Sequence, residues 1–573
     1  MPEKEVGIKL ALLIEQVVLP RWQYEMVARL QLIEHVQIVL IVRGHSGKPQ
    51  PFIKRVLSNV LRLSSLLEKY VFGWQGDARK CADIRPLINN ATILDRAMAV
   101  DGQQHFERSA VDLLIDLRSG VEQPDYPDYC YSSTTQQVWR HFYDAAGSAE
   151  LLTAGIKEFC TGQPVLNSGI ISECKAGESA CLLWSGSGVD RPLLTQNIDQ
   201  MLWKMVDFMP LLLRNHSDID ALAVLKASRG NYHKTHRSLK FPGRRQTSTE
   251  SDAVTLSGPA ADFYLPALFK LFQRSLSQFG AKILSRLPWN TVQEQWVLLL
   301  GRKATLTSAN DIRAISDFKK IIPPADRFWA DPFLVSWLGQ DYVFFEELIY
   351  REGKGTLACM ALHAVDVSAE SDQSNQSVVI LEKPYHLSYP FTFQYQGALY
   401  MMPESAENQT LDVYRCEQFP YQWTWVKTLM RDIEAYDATL YEDEQGEWWL
   451  FVCMRHHEYA STNELLYLFS ASSPLSDDWA AHPANPIVTD AATARPAGHL
   501  LHLDGKLYRP SQNCAGSYGR GLNLNEIITL NHQEYREQTS SRIIPAGRSA
   551  LDGIHTLNCL KDRVVSDGIF LRK

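Results

Sequence analysis

Three carboxylic acids and a small set of planar donors mark where this 573-residue chain could do chemistry. Asp331, Glu404 and Asp437 are the acids. Two carboxyl groups on either side of a bond suffice for glycoside cleavage, one giving a proton to the leaving oxygen and the other acting as base or nucleophile. Arg495, Arg509 and Gln512 are planar donors able to hold a carboxylate, phosphate or sulfate, the arginines through paired N–H bonds. Such donors suit a sugar or an anionic sugar derivative such as a nucleotide sugar. Tyr518 and His555 complete the candidate set. These residues lie far apart in sequence, so a repeated element has to bring them together.

That element is a pattern that recurs five times. Its copies read ADPFLVSWLGQDYVFFEE from Ala330, SYPFTFQYQGALYMMPES from Ser388, YDATLYEDEQGEWWLFVC from Tyr436, ARPAGHLLHLDGKLYRPSQ from Ala494 and GIHTLNCLKDRVVSDGIF from Gly553. The first four run from a polar head through an apolar stretch to a glycine turn (Gly339, Gly397, Gly446, Gly505) and an aromatic-rich stretch. Each is a hairpin, and hairpins at intervals of roughly 50 residues describe a β-propeller. A propeller lines its channel with the first strand of each blade. Asp331, Ser388, Asp437, Arg495 and His555, the five heads, are therefore expected to converge on one axis. Trp296-Val297-Leu298-Leu299, within a strand-like run just ahead of the first repeat, is placed to complete the last blade and remove the exposed sheet edges.

The repeats resemble the five-bladed propellers of the furanosidase type, and more specifically the N-terminal propeller domain of glucosamine inositolphosphorylceramide transferases. The resemblance is carried by Phe-Trp-Ala-Asp-Pro-Phe at 328–333, Met-Pro-Glu-Ser at 402–405, Arg-Pro-Ala-Gly at 495–498, Tyr-Arg-Pro-Ser-Gln at 508–512, Tyr518-Gly519, and Gly553 with His555-Thr556. It implies that Asp331 is the base or nucleophile that opens the first blade. Arg495, Arg509 and Gln512 are donors that the hydrolases do not share as a set, and with Tyr518 and His555 they are read as substrate contacts; the resemblance allows an axial calcium near His555, with no other cofactor expected. The chain departs from the hydrolase pattern at the second and third heads. Those enzymes place an aspartate and a glutamate there, whereas this chain has Ser388-Tyr389-Pro390 and Asp437, with Glu404 at the end of a strand.

A length of 573 residues exceeds one hydrophobic core and implies two or three domains. A net charge of −8 lacks the basic footprint of a nucleic-acid binder. The ten cysteines are scattered without metal-site pairs or disulfide-scaffold density, which points to a reducing, cytoplasmic setting. The apolar run 6–18 is broken by Lys9, Glu15 and Gln16 and is too short to span a bilayer. A soluble protein is expected, with peripheral membrane contact open to the basic run 231–252.

The first 213 residues read as strand, helix, strand and further apolar strands, a doubly wound α/β sheet. Leu-Pro-Arg-Trp-Gln-Tyr at 19–24, the strand ending at Leu117, and Val138-Trp139-Arg140-His141-Phe142 with Gly162-Gln163-Pro164-Val165 resemble the formyltransferase-like domain of bacterial fusion proteins. That family's transfer chemistry needs an Asn–His–Asp constellation, and the chain contains no Asn-x-His. The domain is therefore read as degenerate, with His141 and Asp144 as a relic pair, and the loop 44–48 as an ordinary loop rather than a phosphate cradle.

The expected organisation is a formyltransferase-like α/β domain over 1–213, a basic linker and amphipathic helix over 214–288, and a five-bladed propeller over 289–573. The expected function is an enzyme acting on a glycosidic or glycosyl-phosphate bond at the propeller axis, hydrolase-like or sugar-transferring. The rivals are a carbohydrate-binding or scaffold protein, and formyl or acyl transfer to an amino sugar by the N-terminal domain.

Overall fold

The computed structural model describes residues 7–43, 52–88, 91–95, 111–118, 137–144, 151, 154–174, 179–189, 194–214, 273, 293–303, 306–362, 377–545 and 551–572. The loop 44–48, the basic run 231–252 and the apolar stripe of the expected amphipathic helix lie outside them. The chain divides into two compact units, Met1–Lys282 with His457–Ser461, and Ile283–His456 with Thr462–Lys573.

The first unit is built on a seven-stranded sheet. Its strands lie in the order Thr92–Asp95, Val36–Arg43, Ile8–Ile14, Leu113–Asp116, Gln137–Phe142, Val165–Cys174 and Ser179–Gly188. The first five pair in parallel, and the last two pair antiparallel to their neighbours. The parallel strands are mostly apolar, as in Ile8–Ile14 where Lys9 is the one charged residue, in keeping with a sheet covered on both faces. The helix Arg21–Gln31 buries Trp22, Met26, Val27 and Leu30, a stripe at helical spacing. No helix among the described residues is long and apolar enough to cross a membrane.

The second unit is the expected propeller of five four-stranded antiparallel sheets. The first blade runs Arg327–Trp337, Gln340–Ile349, Lys354–Ala361, Val378–Leu381. The second runs Ser388–Tyr395, Ala398–Glu404, Thr410–Gln418, Gln422–Arg431. The third is Glu434–Glu442, Trp448–Arg455, Leu466–Ala471, Ala480–Ala481, and the fourth is Leu501–Leu503, Lys506–Asn513, Gly521–Leu530, Tyr535–Ile543. The fifth joins the two ends of the domain. Gln293–Arg302 pairs antiparallel with Arg563–Arg572 over its whole length, from Gln293 opposite Arg572 to Arg302 opposite Arg563, between Leu557–Leu560 and Lys319–Ile321. This closure pairs an end strand that would otherwise present free N–H and C=O groups.

Apolar clusters fill the spaces between successive sheets. One holds Leu298 and Leu300 of the closing blade against Trp329, Leu334 and Phe345 of the first, and another holds Phe344 and Leu357 of the first against Met401 and Tyr414 of the second. With its cores between the blades, the ring leaves the inner ends of the strands free for polar groups.

Candidate active site

The first strands of the first three blades share a backbone device. Each is broken by a bulge, between Ala330 and Phe333, Ser388 and Phe391, and Tyr436 and Thr439. Within each bulge one residue adopts the left-handed backbone: Asp331 (φ 51°), Tyr389 (φ 46°) and Asp437 (φ 50°). A positive φ in a residue with a side chain is strained, and such strain concentrates at ligand sites. The bulge re-aims the side chain and interrupts pairing at the inner edge of the blade. The three bulges align, so the residue at the second blade equivalent to Asp331 and Asp437 is Tyr389, not Ser388.

Two connected groups result. In the first, His555 lies between two buried carboxylates, with Nε2 3.1 Å from Asp331 Oδ1 and Nδ1 2.7 Å from Asp567 Oδ2. Both contacts lie off the hydrogen-bond direction, so Asp331 Oδ1 and His555 Nδ1 have no aligned partner. Asp331 Oδ2 accepts the Tyr389 N–H at 3.3 Å. Burial raises the Asp331 carboxyl and the His555 charge pulls it back, leaving it pushed up to about 6. Burial disfavours the imidazolium too, but the Asp567 and Asp331 carboxylates outweigh it and hold His555 well above its usual value. At neutral pH the pair is thus carboxylate and imidazolium.

In the second group, Arg495 binds Asp437 Oδ2 through Nε at 2.5 Å, Glu404 Oε2 through Nη2 at 3.2 Å and Asn463 Oδ1 through Nη1 at 2.7 Å. Gln512 Nε2 donates to the same Asp437 oxygen at 2.6 Å, and the Asp437 N–H donates to Glu404 Oε2 at 3.2 Å. Burial and the neighbouring Asp437 charge hold the Glu404 carboxyl well above the usual range. Glu404 lines a cavity of about 350 Å³ with Tyr436, His386, Glu407, Glu434 and Arg455. Tyr518, half exposed, links the groups, its ring 5.1 Å from the Arg495 guanidinium and 5.5 Å from the His555 ring. Tyr389 ties blades together by accepting the Gly498 N–H at 2.6 Å and meeting Thr439 Oγ1 at 2.8 Å. Gly498 (φ 124°) lets its backbone lie against the fifth blade, since a Cβ there would stand 2.2 Å from the Leu557 carbonyl oxygen.

Of the residues singled out in sequence, Asp331 and His555 thus meet directly, and Glu404, Asp437, Arg495, Gln512 and Tyr518 form the adjoining network. Arg509 is the correction. Its fork is taken by Glu537, Nε to Oε2 at 2.9 Å and Nη2 to Oε1 at 2.6 Å, and by the carbonyls of Thr493 and Ala494. At 1% exposure it is a tie inside the fourth blade, not a donor to a substrate anion. The sequence reading also missed Asp567 and the pair Glu346–His386, whose Oε1 and Nε2 stand 3.3 Å apart. A lone acid in the apolar run Val564-Val565-Ser566-Asp567 was the available signal for Asp567.

Asp331, His555 and Asp567 lie close enough to hold a cation, but the set does not fit calcium. The ion needs six to eight oxygen ligands, whereas the Asp567 oxygens face the N–H groups of Asp331, His555 and Thr556 and the Thr556 hydroxyl.

In the first unit, His141 is buried with neither ring nitrogen hydrogen-bonded, its ring 5.0 Å from that of Trp22. Burial pushes it down to about 3, so it is a neutral packing residue.

Residues 293–562 match the family described as glucosamine inositolphosphorylceramide transferase 1, N-terminal. The chain is 33% identical over 246 residues to glucosamine inositolphosphorylceramide transferase 1 of Oryza sativa subsp. japonica, covering 42% of this chain and 32% of the relative. It is 34% identical over 212 residues to the protein of that name from Arabidopsis thaliana, covering 37% and 27%. The chain thus spans about a third of the length of the relatives it matches. Among solved structures, the catalytic domain of a Coprinopsis cinerea alpha-L-arabinofuranosidase aligns with 40% of this chain and 76% of its own, at 15% identity and a TM-score of 0.31.

Proposed function

We propose that the propeller is a carbohydrate-active enzyme that cleaves or transfers at a glycosidic bond on its axis. One observation carries this reading: two buried carboxyl groups line that axis in unlike surroundings, Asp331 with the His555 ring 3.1 Å away and Glu404 sharing the Arg495 guanidinium with Asp437. Burial raises both, but the His555 charge pulls Asp331 back to about 6, whereas the Asp437 charge adds to burial and holds Glu404 well above the usual carboxyl range. Environments that push two carboxyls apart assign the base and the acid. In this reading Asp331 attacks the anomeric carbon or takes the proton from an incoming hydroxyl, while Glu404 protonates the leaving oxygen. Asp437 is the neighbouring carboxyl whose charge raises Glu404, and Tyr518 offers its exposed ring to a sugar face.

Because Arg495, Arg509 and Gln512 are engaged with protein acids, the site favours a glycosidic bond over a glycosyl phosphate. The match to proteins named glucosamine inositolphosphorylceramide transferase supports a setting in glycolipid, surface-glycan or glycosylated-metabolite synthesis. The test is a screen of the purified chain against furanosides, pyranosides, nucleotide sugars and inositol-linked glycosides, repeated with Asp331→Asn. Turnover that disappears in the variant supports the reading.

A second reading, a carbohydrate-binding module, draws on Tyr389 at the second head, where a third acid would stand in the hydrolase pattern. Under it, calorimetry detects sugar binding while no substrate turns over. A third reading, formyl or acyl transfer in the first unit, is disfavoured by the apolar packing of His141.

A further inference from the structure

Asp567 is fully buried on Arg563–Arg572, the last strand of the chain and the one that closes the ring. Its two oxygens gather five groups. Oδ1 accepts the N–H groups of His555 at 3.1 Å and Thr556 at 2.9 Å. Oδ2 accepts the Asp331 N–H at 2.8 Å and the Thr556 hydroxyl at 2.6 Å, and lies 2.7 Å from His555 Nδ1. A buried carboxylate is costly unless paired and hydrogen-bonded, and this one has a cation and four donors. Its connections reach the head of the first blade and the head of the fifth, which are separated by most of the propeller sequence.

We infer that Asp567 is a positioning residue for Asp331, acting through the His555 ring and through the backbone of the Asp331 bulge. The inference rests on the proposed role of Asp331. The N–H bond from Asp331 fixes the left-handed peptide that aims the Asp331 side chain inward, and the contact with Nδ1 fixes the ring that faces Asp331 Oδ1. Asp567 itself is screened from any substrate by the ring it holds. The charged and titratable groups facing His555 are Asp331, Asp567 and Tyr518, and those acting on Asp331 include His555, Asp437 and Glu346. Trp296 packs on the imidazole from the neighbouring strand Gln293–Arg302, 4.2 Å between ring centroids.

The test follows the His555 ring by NMR of the full chain carrying labelled histidine, the signal being assigned with His555→Gln. In the natural protein His555 remains an imidazolium through neutral pH. In Asp567→Asn its midpoint falls by about 1 to 3 units, the effect of losing an adjacent opposite charge, and Asp567→Glu restores it at least in part. Val565→Ala, a cavity on the same strand, lowers the melting temperature without moving the midpoint.

On a substrate from the screen, Asp567→Asn lowers kcat and shifts the acidic limb of the rate profile, with little change in KM. A neutral His555 at pH 7 in the natural protein, or the same midpoint in Asp567→Asn, overturns the inference. The first of these needs no variant to fold. If no sugar is turned over, the proposed function fails, yet the ring measurement still decides the role of Asp567.

Discussion

His555 Nε2 stands 3.1 Å from Asp331 Oδ1, although one residue heads the fifth blade and the other the first. The closing strand makes this possible by joining the ends of the propeller domain in one sheet. The charge on the ring is what leaves a buried aspartate ionised near neutral pH.

The pH dependence follows from the direction of these shifts. Asp331 is raised from 3.8 to about 6, so its burial opposes folding once the unfolded chain ionises: its contribution is best below pH 3.8 and worsens up to about 6. Asp567 is lowered despite its burial, chiefly by the His555 charge, so its contribution is present above 3.8 and lost as pH falls through its native value. Denaturant melts between pH 4 and 6 are therefore expected to show Asp331→Asn gaining on the natural protein as pH rises. Activity needs Asp331 ionised and Glu404 protonated, so kcat/KM should rise through about pH 6 and fall at alkaline pH.

Arg495→Ala is expected to destabilise the propeller by about 3–5 kcal/mol, because it leaves buried Asp437 without its cation and removes a hydrogen-bond donor from buried Glu404. Urea melts measure this, and a loss below about 1 kcal/mol, the scale of an exposed pair, contradicts the geometry.

Arg509→Met is expected to cost a similar amount by leaving buried Glu537 without its cation, whereas Arg509→Met with Glu537→Gln recovers most of it. Neither change should alter KM for any substrate. A rise in KM confined to anionic substrates would return Arg509 to the binding site.

The two arginines also show where sequence reading stops. Repeat spacing made the five blades, the closing strand and the convergence of Asp331, Asp437 and His555 legible, because strand alternation and turn glycines are local signals. What a side chain meets across the ring is not local. Arg495 and Arg509 look alike in sequence, yet one enters the axial network and the other meets Glu537 on the outer strand Tyr535–Ile543 of its own blade. Ser388 reads as the second head because it is the polar residue there, whereas the bulge places Tyr389, the second residue of its copy like Asp331 and Asp437, at the equivalent position. Asp567 was missed because a carboxylate within a strand is a turn or surface residue in most contexts, and only its partners reveal otherwise.

Tyr389→Phe removes the acceptor of the Gly498 N–H and a partner of Thr439. A loss of about 1–3 kcal/mol is expected, the scale for a buried group left unsatisfied. Thermal melts check it, and an unchanged melting temperature would show that the hydroxyl does not join the blades.

The most direct test of the account is the turnover of Asp331→Asn on a substrate found in the screen, with binding measured separately by calorimetry. The substitution keeps the shape of the side chain and removes its charge. The account predicts that kcat falls by about 10² to 10⁴-fold, while the dissociation constant stays within a few-fold, as when an interaction made only in the transition state is lost. An unchanged kcat would contradict a catalytic role for Asp331 and with it the enzymatic reading of the axis.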